Sequence, residues 1–166
     1  MSRLPVSKQA IGLLGFLALA MFVGAIGAVA SVNASSFYNS LQQPSWAPPA
    51  GVFGPVWSTL YLLMALSGWM VWRGGGFGYA RQALLLFVIQ LAVNALWSWL
   101  FFAWHLGGPA FVDIIVLWVL IVLTIIAFWR IQRLAAMLLV PYLLWVSFAG
   151  VLNYAVWKMN PGVLGG

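Results

Sequence analysis

The side chains that usually carry catalysis are nearly absent from this sequence. It contains one acidic residue, Asp113, one histidine, His105, and no cysteine. This composition excludes a catalytic carboxylate pair, a thiolate nucleophile and a metal site built from several histidines or cysteines. A Ser–His–Asp arrangement would need both residues, which lie near a short connection without a nucleophile elbow. Hydrolysis is therefore not expected, and His105 is interpreted as an interfacial residue, with ligation of a haem iron as the alternative.

Polar and aromatic side chains recur instead at helical spacing, so that the members of each stripe share one helix face. Two interpretations are open. The stripes could join helices by hydrogen bonds and fill a core, or they could line a pocket with apolar walls and a few polar groups. The stripes consist of Gln90, Asn94, Trp97 and Phe101; of Tyr142, Trp145, Ala149 and Asn153; and of Trp57 with Tyr61.

The composition decides which elements must position these stripes. Hydrophobic residues make up 65% of the 166 residues and charged residues only 5%, whereas a soluble domain has about 25% charged residues. The surface must therefore face lipid, where backbone groups bond to one another within helices. We predict an all-α membrane protein, a five-transmembrane-helix bundle that forms one domain over residues 1–166. The apolar segments, each long enough to cross a bilayer, are residues 10–30, 53–72, 80–104, 110–129 and 134–157.

Basic residues are distributed unequally between the connections of these helices. Cytoplasmic connections are enriched in Lys and Arg, so we expect the N-terminus inside and the C-terminus outside a bacterial cytoplasmic membrane, with an outer membrane as the alternative. Cleavage of the first segment as a signal peptide at Ala28-Val29-Ala30 is another alternative, which leaves the orientation unchanged. The basic pI thus reflects topology, and no nucleic-acid partner is expected. One side carries Arg3, Lys8, Arg73, Arg81, Arg130 and Arg133, and the other carries Lys158.

The first connection, residues 31–52, is long, uncharged and rich in Pro, Trp and Ser. A long ordered loop in a small protein usually has a function, and this one is expected to cover a site. The predicted orientation puts Trp57, Asn94 and Ala149 in the outer halves of their helices, directly under the loop. Small residues of the first helix lie at the same depth, namely Gly24, Ala25, Gly27 and Ala28. The sequence therefore favours a lidded pocket for a flat, mainly hydrophobic ligand.

The last two helices carry two further expectations. Asp113 lies about one turn below the outer end of the fourth helix, and Lys158 ends the fifth helix at a similar depth, so an ion pair between them is predicted. Pro141 lies inside the fifth helix and is expected to kink it.

Several segments together resemble the TspO/MBR family of tryptophan-rich sensory proteins, which includes the translocator protein, or peripheral benzodiazepine receptor. The similarity spans all five predicted helices, and the combination of motifs is highly specific, although no single motif would suffice. The matching segments are residues 37–49 (FYNSLQQPSWAPP), 53–61 (FGPVWSTLY), 90–97 (QLAVNALW) with Phe101 and Phe102, 141–145 (PYLLW) and 151–158 (VLNYAVWK).

The resemblance implies a bundle that binds porphyrins, haem-pathway tetrapyrroles, sterols and synthetic ligands of benzodiazepine or isoquinoline type. It implies no required cofactor and no metal site, since a porphyrin or haem would be the ligand. The family's pocket residues map onto Ala25, Tyr38, Trp46, Trp57, Asn94, Trp97, Trp145 and Ala149. The family's cholesterol-recognition segment maps onto Leu152, Tyr154 and Lys158. That pattern is weak as a general motif, and it competes with the ion pair predicted for Lys158.

Two features depart from the family's pattern. Leu85 and Ile89 stand where some members have small residues that form a dimer, so Gly24 and Ala28 are the alternative surface for a homodimer. Phe37 stands where the family often has Trp, which leaves an aromatic wall but removes an indole N–H donor.

The leading hypothesis for function is a membrane receptor or binding protein for tetrapyrroles and sterol-like lipids that assists their transport or sensing. The alternative is an enzyme that degrades porphyrins with light and oxygen, using Trp57 or Trp145 beside the photoexcited ligand. A third hypothesis is a regulatory protein whose ligand occupancy is sensed by another chain.

Overall fold

A computed structural model describes residues 4–165 of the chain. It confirms the prediction of an all-α bundle with five spanning helices, whose ends lie within a few residues of the predicted ones. Arg3, which was counted in the charge pattern, lies outside the described residues. The stretches long and apolar enough to cross a membrane are Val6–Ala30, Ala50–Trp72, Arg81–Ala103, Gly107–Trp129 and Arg133–Met159.

Three of these stretches are not single α-helices. A 3₁₀ turn, Ala50–Val52, leads into the second span, and a π-helical turn, Trp99–Ala103, ends the third. The fifth span is divided into two helices. The α-helices of the described residues are α1 (Val6–Ala30), α2 (Ala34–Ser40), α3 (Phe53–Trp72), α4 (Gly76–Tyr79), α5 (Arg81–Ser98), α6 (Gly107–Trp129), α7 (Arg133–Leu138), α8 (Val140–Met159) and α9 (Pro161–Leu164).

The spanning helices form a ring in which neighbouring helices pack closely except at one place. Helix α5 packs between α1 and α6, α1 packs on α3, and α6 packs on both α7 and α8. Helix α3 completes the ring through α7, whereas α3 and α8 make few close backbone contacts. We call the end that holds α4, α7 and the start of α1 the basic end, and the end that holds residues 31–52 the loop end. The bundle is therefore tight at the basic end and parted between α3 and α8 towards the loop end.

The division of the fifth span follows from Pro141. Proline has no backbone N–H and its ring clashes with the carbonyl one turn before it. Helix α7 accordingly ends at Leu138, and the backbone N–H of Leu139 bonds to the carbonyl of Ala136 at 3.1 Å. The expected kink is thus a break, and Pro141 lies in the first turn of α8. The buried hydroxyl of Ser67 donates to the carbonyl of Ala135 at 2.7 Å, which fastens α3 to α7 at this break.

Candidate ligand-binding site under the first loop

The first loop folds back on itself around Tyr38. This side chain is buried, with 3% of its surface exposed, although it lies on the short helix α2 outside the spanning segments. Its hydroxyl donates to the carbonyl of Pro48 at 3.0 Å, and the Gln43 amide donates to the Tyr38 carbonyl. Burial raises the pKa of the Tyr38 phenol, so the hydroxyl remains a donor at neutral pH. The first loop is therefore held together by hydrogen bonds around one buried tyrosine.

A second set of hydrogen bonds ties the loop to the end of α8. The Gln42 backbone N–H donates to Asn160 Oδ1 at 2.8 Å, and Asn160 Nδ2 donates to the Gln42 carbonyl at 2.8 Å. Asn160 is buried at the start of α9. Sequence reasoning missed this residue because it lies outside the helical stripes and its partner is 118 positions away.

Aromatic side chains under the loop form what we call the loop aromatic cluster. Ring centroids are 5.2 Å apart for Tyr38 and Phe53, and 5.9 Å apart for Phe53 and Trp145. Phe148 lies 5.5 Å from Trp145 and 5.9 Å from Trp46, which is half exposed on the loop. Three predicted pocket residues, Tyr38, Trp46 and Trp145, are thus brought together. Phe53 and Phe148 join them; neither was predicted as a site residue, although the Phe148 spacing of three from Trp145 was a signal.

The polar stripe of α5 is joined to its neighbours by a buried network. Tyr61 donates its hydroxyl hydrogen to Asn94 Oδ1 at 2.6 Å, and Asn94 Nδ2 donates to the Tyr142 hydroxyl at 2.9 Å. Tyr142 in turn donates to Gln90 Oε1 at 2.9 Å. Helices α3, α5 and α8 are thereby connected through one amide. For Asn94 and Gln90 the structure favours the interpretation as interhelical hydrogen bonding over direct display in a pocket.

Trp97 is held by a second polar contact nearer the loop end. Its indole N–H donates to Asn153 Oδ1 at 3.0 Å, and Asn153 Nδ2 donates to the Gly107 carbonyl at 3.1 Å. The Trp97 ring stacks on Phe101 with centroids 5.3 Å apart. The indole N–H of Trp97 is therefore already bonded, which leaves the ring face and edge as its means of contacting a ligand.

Trp57 and Ala149 extend the site towards the middle of the bundle. The Trp57 ring lies 5.7 Å from Tyr61 and 6.2 Å from Tyr142, measured between centroids. Ala149 is buried on α8, four residues from Trp145. Trp57 therefore packs against two tyrosines of the polar network.

The indole of Trp145 differs from that of Trp97. Its Nε1 is buried and has no hydrogen-bond partner among residues 4–165. A buried donor without a partner costs about 1–3 kcal/mol, and such groups in native structures call for an explanation such as an absent ligand. The indole N–H of Trp145 is thus a buried donor that no group among the described residues satisfies.

A groove reaches Trp145 from the lipid side, and we call it the lateral groove. It lies where α3 and α8 part, and it has a volume of about 550 Å³. Apart from the Thr59 hydroxyl, which donates to the Pro55 carbonyl, its walls are apolar. The lining residues include Val56, Thr59 and Leu63 from α3 and Leu144, Trp145 and Phe148 from α8. A hydrophobic molecule dissolved in the bilayer can therefore reach one face of Trp145 without crossing water.

A family model for TspO/MBR matches residues 16–158, which is most of the chain. The chain belongs to the TspO/MBR family. Tryptophan-rich protein TspO of Chlorobaculum tepidum is 39% identical over 161 residues, covering 94% of this chain and 100% of the relative. Protein CrtK of Rhodobacter capsulatus is 38% identical over 143 residues, covering 84% and 86%. The translocator protein of Homo sapiens is 41% identical over 133 residues, covering 78% of each chain.

Two small residues expected at the TspO/MBR pocket or at a dimer surface are placed differently. Ala25 is exposed on α1, whereas Gly24 and Gly27 are the positions whose backbone faces Tyr61 and Ser98. Because Gly24 packs against Tyr61 inside the chain, only Ala28 of the proposed Gly24–Ala28 dimer surface is exposed. Gly24 and Gly27 thus let α1 pack closely against Tyr61 of α3 and Ser98 of α5.

The residues that match the family's cholesterol-recognition pattern are divided between core and surface. Leu152 is buried, while Tyr154 and Lys158 are exposed. The Lys158 ammonium lies 4.2 Å from the centroid of the Trp157 ring. The predicted ion pair with Asp113 is wrong: Asp113 is buried on α6 and its Oδ2 has no hydrogen-bond partner among the described residues. A cation over an indole face is an attractive contact, so Lys158 is stabilised by its own helix.

His105 lies at the turn between α5 and α6, as an interfacial residue would. Its ring stacks on Phe37 with centroids 4.1 Å apart, and its φ angle is +55°. Phe37 therefore supplies an aromatic surface for His105 at the loop end. Within residues 4–165, no group of three or more His, Cys, Asp or Glu side chains is placed to hold a metal ion.

Proposed function

We propose that this protein is a membrane receptor for tetrapyrroles and sterol-like lipids, which bind beneath the first loop. The proposal rests on the buried indole N–H of Trp145, which has no partner within the described part of the chain and lies at the junction of the loop aromatic cluster and the lateral groove. A flat ligand with a polar edge would satisfy this donor while its faces contact aromatic rings. Family membership supports the same ligand class, as the resemblance implied.

The route to the site follows from the solubility of such ligands. Porphyrins and sterols partition into the bilayer, and the lateral groove faces the bilayer between α3 and α8. The loop above is fastened by Tyr38 and Asn160. We therefore propose that ligands enter sideways from lipid and that the loop prevents their escape into water.

The binding test compares two tryptophans that differ in position. Trp145→Phe keeps an aromatic ring but removes the N–H. Trp118→Phe removes an exposed indole of α6, whose N–H donates to the Ser147 hydroxyl of α8. Titration with protoporphyrin IX, followed by porphyrin absorbance, should show a Kd about fivefold to tenfold higher for Trp145→Phe, since one hydrogen bond contributes ~1 kcal/mol. Trp118→Phe should match the wild type. Equal affinities for Trp145→Phe and the wild type would remove the proposed polar contact.

The entry route has a separate test. Leu144 is an exposed residue lining the lateral groove, so Leu144→Trp should fill the groove without disturbing the core. We expect slower association of protoporphyrin IX in nanodiscs, with an unchanged rate for Ile115→Trp, which enlarges an exposed residue of α6. Cholesterol should compete with porphyrin in the wild type. If both tryptophan variants bind as fast as the wild type, ligands do not use this groove.

We also propose, as the second candidate, light- and oxygen-dependent porphyrin degradation. The specific observation is that Trp57 contacts Tyr61 and Tyr142, so oxidisable rings adjoin one another beside the site. The photoexcited porphyrin would take one electron from Trp57 or Trp145, dioxygen would add to the reduced porphyrin, and the electron would then return to the tryptophan radical. The net reaction joins one dioxygen to one porphyrin and needs none of the missing acid–base groups. Illumination of the purified protein with protoporphyrin IX and oxygen should give a product that a Trp57→Phe, Trp145→Phe variant does not. Product at the level of a protein-free control would exclude this candidate.

A further inference from the structure

A second cavity lies at the basic end, between α1 and α5, and we call it the basal groove. Its volume is about 270 Å³, and its lining residues are glycines and large hydrophobic residues. Helix α1 contributes Gly12 and Gly15, and α5 contributes Leu84 and Val88; Trp72 at the end of α3 and Phe77 on α4 complete the lining. It shares no lining residue with the lateral groove. It is therefore separate from the ligand site described above.

The two glycines give the basal groove its shape. A Cβ atom added to Gly12 would lie 2.0 Å from Cζ3 of Trp72, so this ring packs directly against the α1 backbone as a floor. A Cβ atom added to Gly15 would meet nothing within 4 Å, so the groove is open at that point. The wall from Gly12 to Leu19 is ~10 Å long at the rise of an α-helix. A narrow, open, apolar channel of this length suits a segment of acyl chain.

Two cations lie one turn beyond the groove, one on each wall. Lys8 precedes Gly12 by four residues on α1, and Arg81 precedes Leu84 by three residues on α5, so each shares a helix face with a lining residue. Both side chains are exposed. Side chains near a helix N-terminus lean towards that terminus, so these two extend away from the hydrocarbon towards the head-group region. Arg73, by contrast, packs over the Trp69 ring at 4.6 Å.

We propose that the basal groove is a binding site for one anionic phospholipid of the surrounding bilayer. An acyl chain occupies the channel over Trp72, and the phosphate group lies between Lys8 and Arg81. Basic pockets between transmembrane helices favour anionic head groups. The charge pair decides the choice of lipid, because the apolar channel alone accepts the chains of any lipid. This site is independent of the proposed receptor function.

Native mass spectrometry of the full-length protein tests the head-group preference. The protein is presented with equal amounts of phosphatidylglycerol and phosphatidylcholine that carry identical oleoyl chains. We expect one phosphatidylglycerol to be retained at least about tenfold over phosphatidylcholine. The double variant Lys8→Gln, Arg81→Gln should lose the preference. The matched variant Arg130→Gln, Arg133→Gln removes the same charge from the same end and should keep it. Equal retention of both lipids by the wild type, or an equal loss in both charge variants, would overturn the proposal.

A second pair of variants tests the channel. Gly15→Leu should fill the open part of the groove and abolish retention of the bound lipid, whereas Leu14→Phe enlarges an exposed neighbour outside the groove and should not. Unchanged lipid retention in folded Gly15→Leu would reject the acyl-chain site. Should Gly15→Leu fail to fold, the charge variants decide the outcome alone, since they change only exposed side chains.

Discussion

The side chain of Asn160 pairs with both backbone groups of Gln42, in the way that a neighbouring strand would. Oδ1 accepts from the Gln42 N–H and Nδ2 donates to the Gln42 carbonyl, both at 2.8 Å. Nδ2 also donates to the Val156 carbonyl at 2.8 Å, which fixes the orientation of the amide. One side chain after α8 therefore holds the cover of the candidate site in place.

Replacing Asn160 should loosen that cover. Asn160→Ala leaves the Gln42 backbone groups without their partner, and we expect a loss of ~1–3 kcal/mol from the closed state of the loop. Hydrogen exchange should become faster across residues 34–48, and bound porphyrin should dissociate faster. Asn33→Ala is the control, because Asn33 is an exposed loop residue whose side chain makes no capping hydrogen bond. Matching exchange rates in the two variants would show that the Asn160 contact does not hold the loop.

Ser67→Ala should destabilise the basic end. The mutation leaves the Ala135 carbonyl buried without a donor at the break before Pro141, and an orphaned buried acceptor costs ~1–3 kcal/mol. Unfolding titrations in sodium dodecyl sulfate measure the loss. Ser58→Ala should have little effect, since that exposed hydroxyl bonds within its own helix to Gly54. A stability for Ser67→Ala equal to that of Ser58→Ala would contradict the proposed fastening of α3 to α7.

The Asn94 network should show coupling between α3 and α5. Asn94→Ala and Tyr61→Phe remove the same hydrogen bond, so their effects on unfolding free energy should be non-additive by ~0.5–3 kcal/mol. Asn94→Ala combined with Tyr79→Phe serves as the reference, because Tyr79 is exposed on α4. Additive effects in both cycles would mean that Tyr61 and Asn94 do not interact in the membrane.

We propose that the loop end faces outside and the basic end faces the cytoplasm of a bacterial cell, as the positive-inside rule suggests. The absence of native cysteine permits a clean test with single-cysteine variants. Ser45→Cys, on the loop, should react with a membrane-impermeant maleimide in intact cells. Gly78→Cys, at an open position of α4, should react only after permeabilisation. The reverse pattern would invert the topology.

The five-helix bundle could be predicted from sequence because membrane spans depend on hydropathy along the chain and not on contacts between distant residues. Lipid requires long apolar helices, so hydropathy alone located all five spans. Helical spacing also put Trp57 and Tyr61 on one face, and their ring centroids lie 5.7 Å apart. Pro141 signalled a disturbance of the fifth helix, which the structure shows as a break at Leu139.

The partners of those faces could not be predicted in the same way. Spacing placed Asn94 on an interior face, but whether its amide meets a ligand or two tyrosines depends on how three helices rotate against one another. Similar depth in the membrane suggested that Asp113 and Lys158 would pair. In the structure Asp113 is buried, whereas Lys158 is exposed and contacts the Trp157 ring. The Asn160–Gln42 contact joins distant segments and leaves no local pattern.

The break at Leu139 has a mechanical consequence. Helix α7 is anchored to α3 by Ser67, whereas α8 carries one wall of the lateral groove at its near end and, just past its far end, the Asn160 amide that grips the loop. A tilt of α8 about Leu139 would widen or narrow the lateral groove. The same tilt would move the loop, because Asn160 is bonded to Gln42. The lateral groove and the first loop are therefore coupled through α8. A molecule that separates α8 from α3 would also displace the outer surface of the loop.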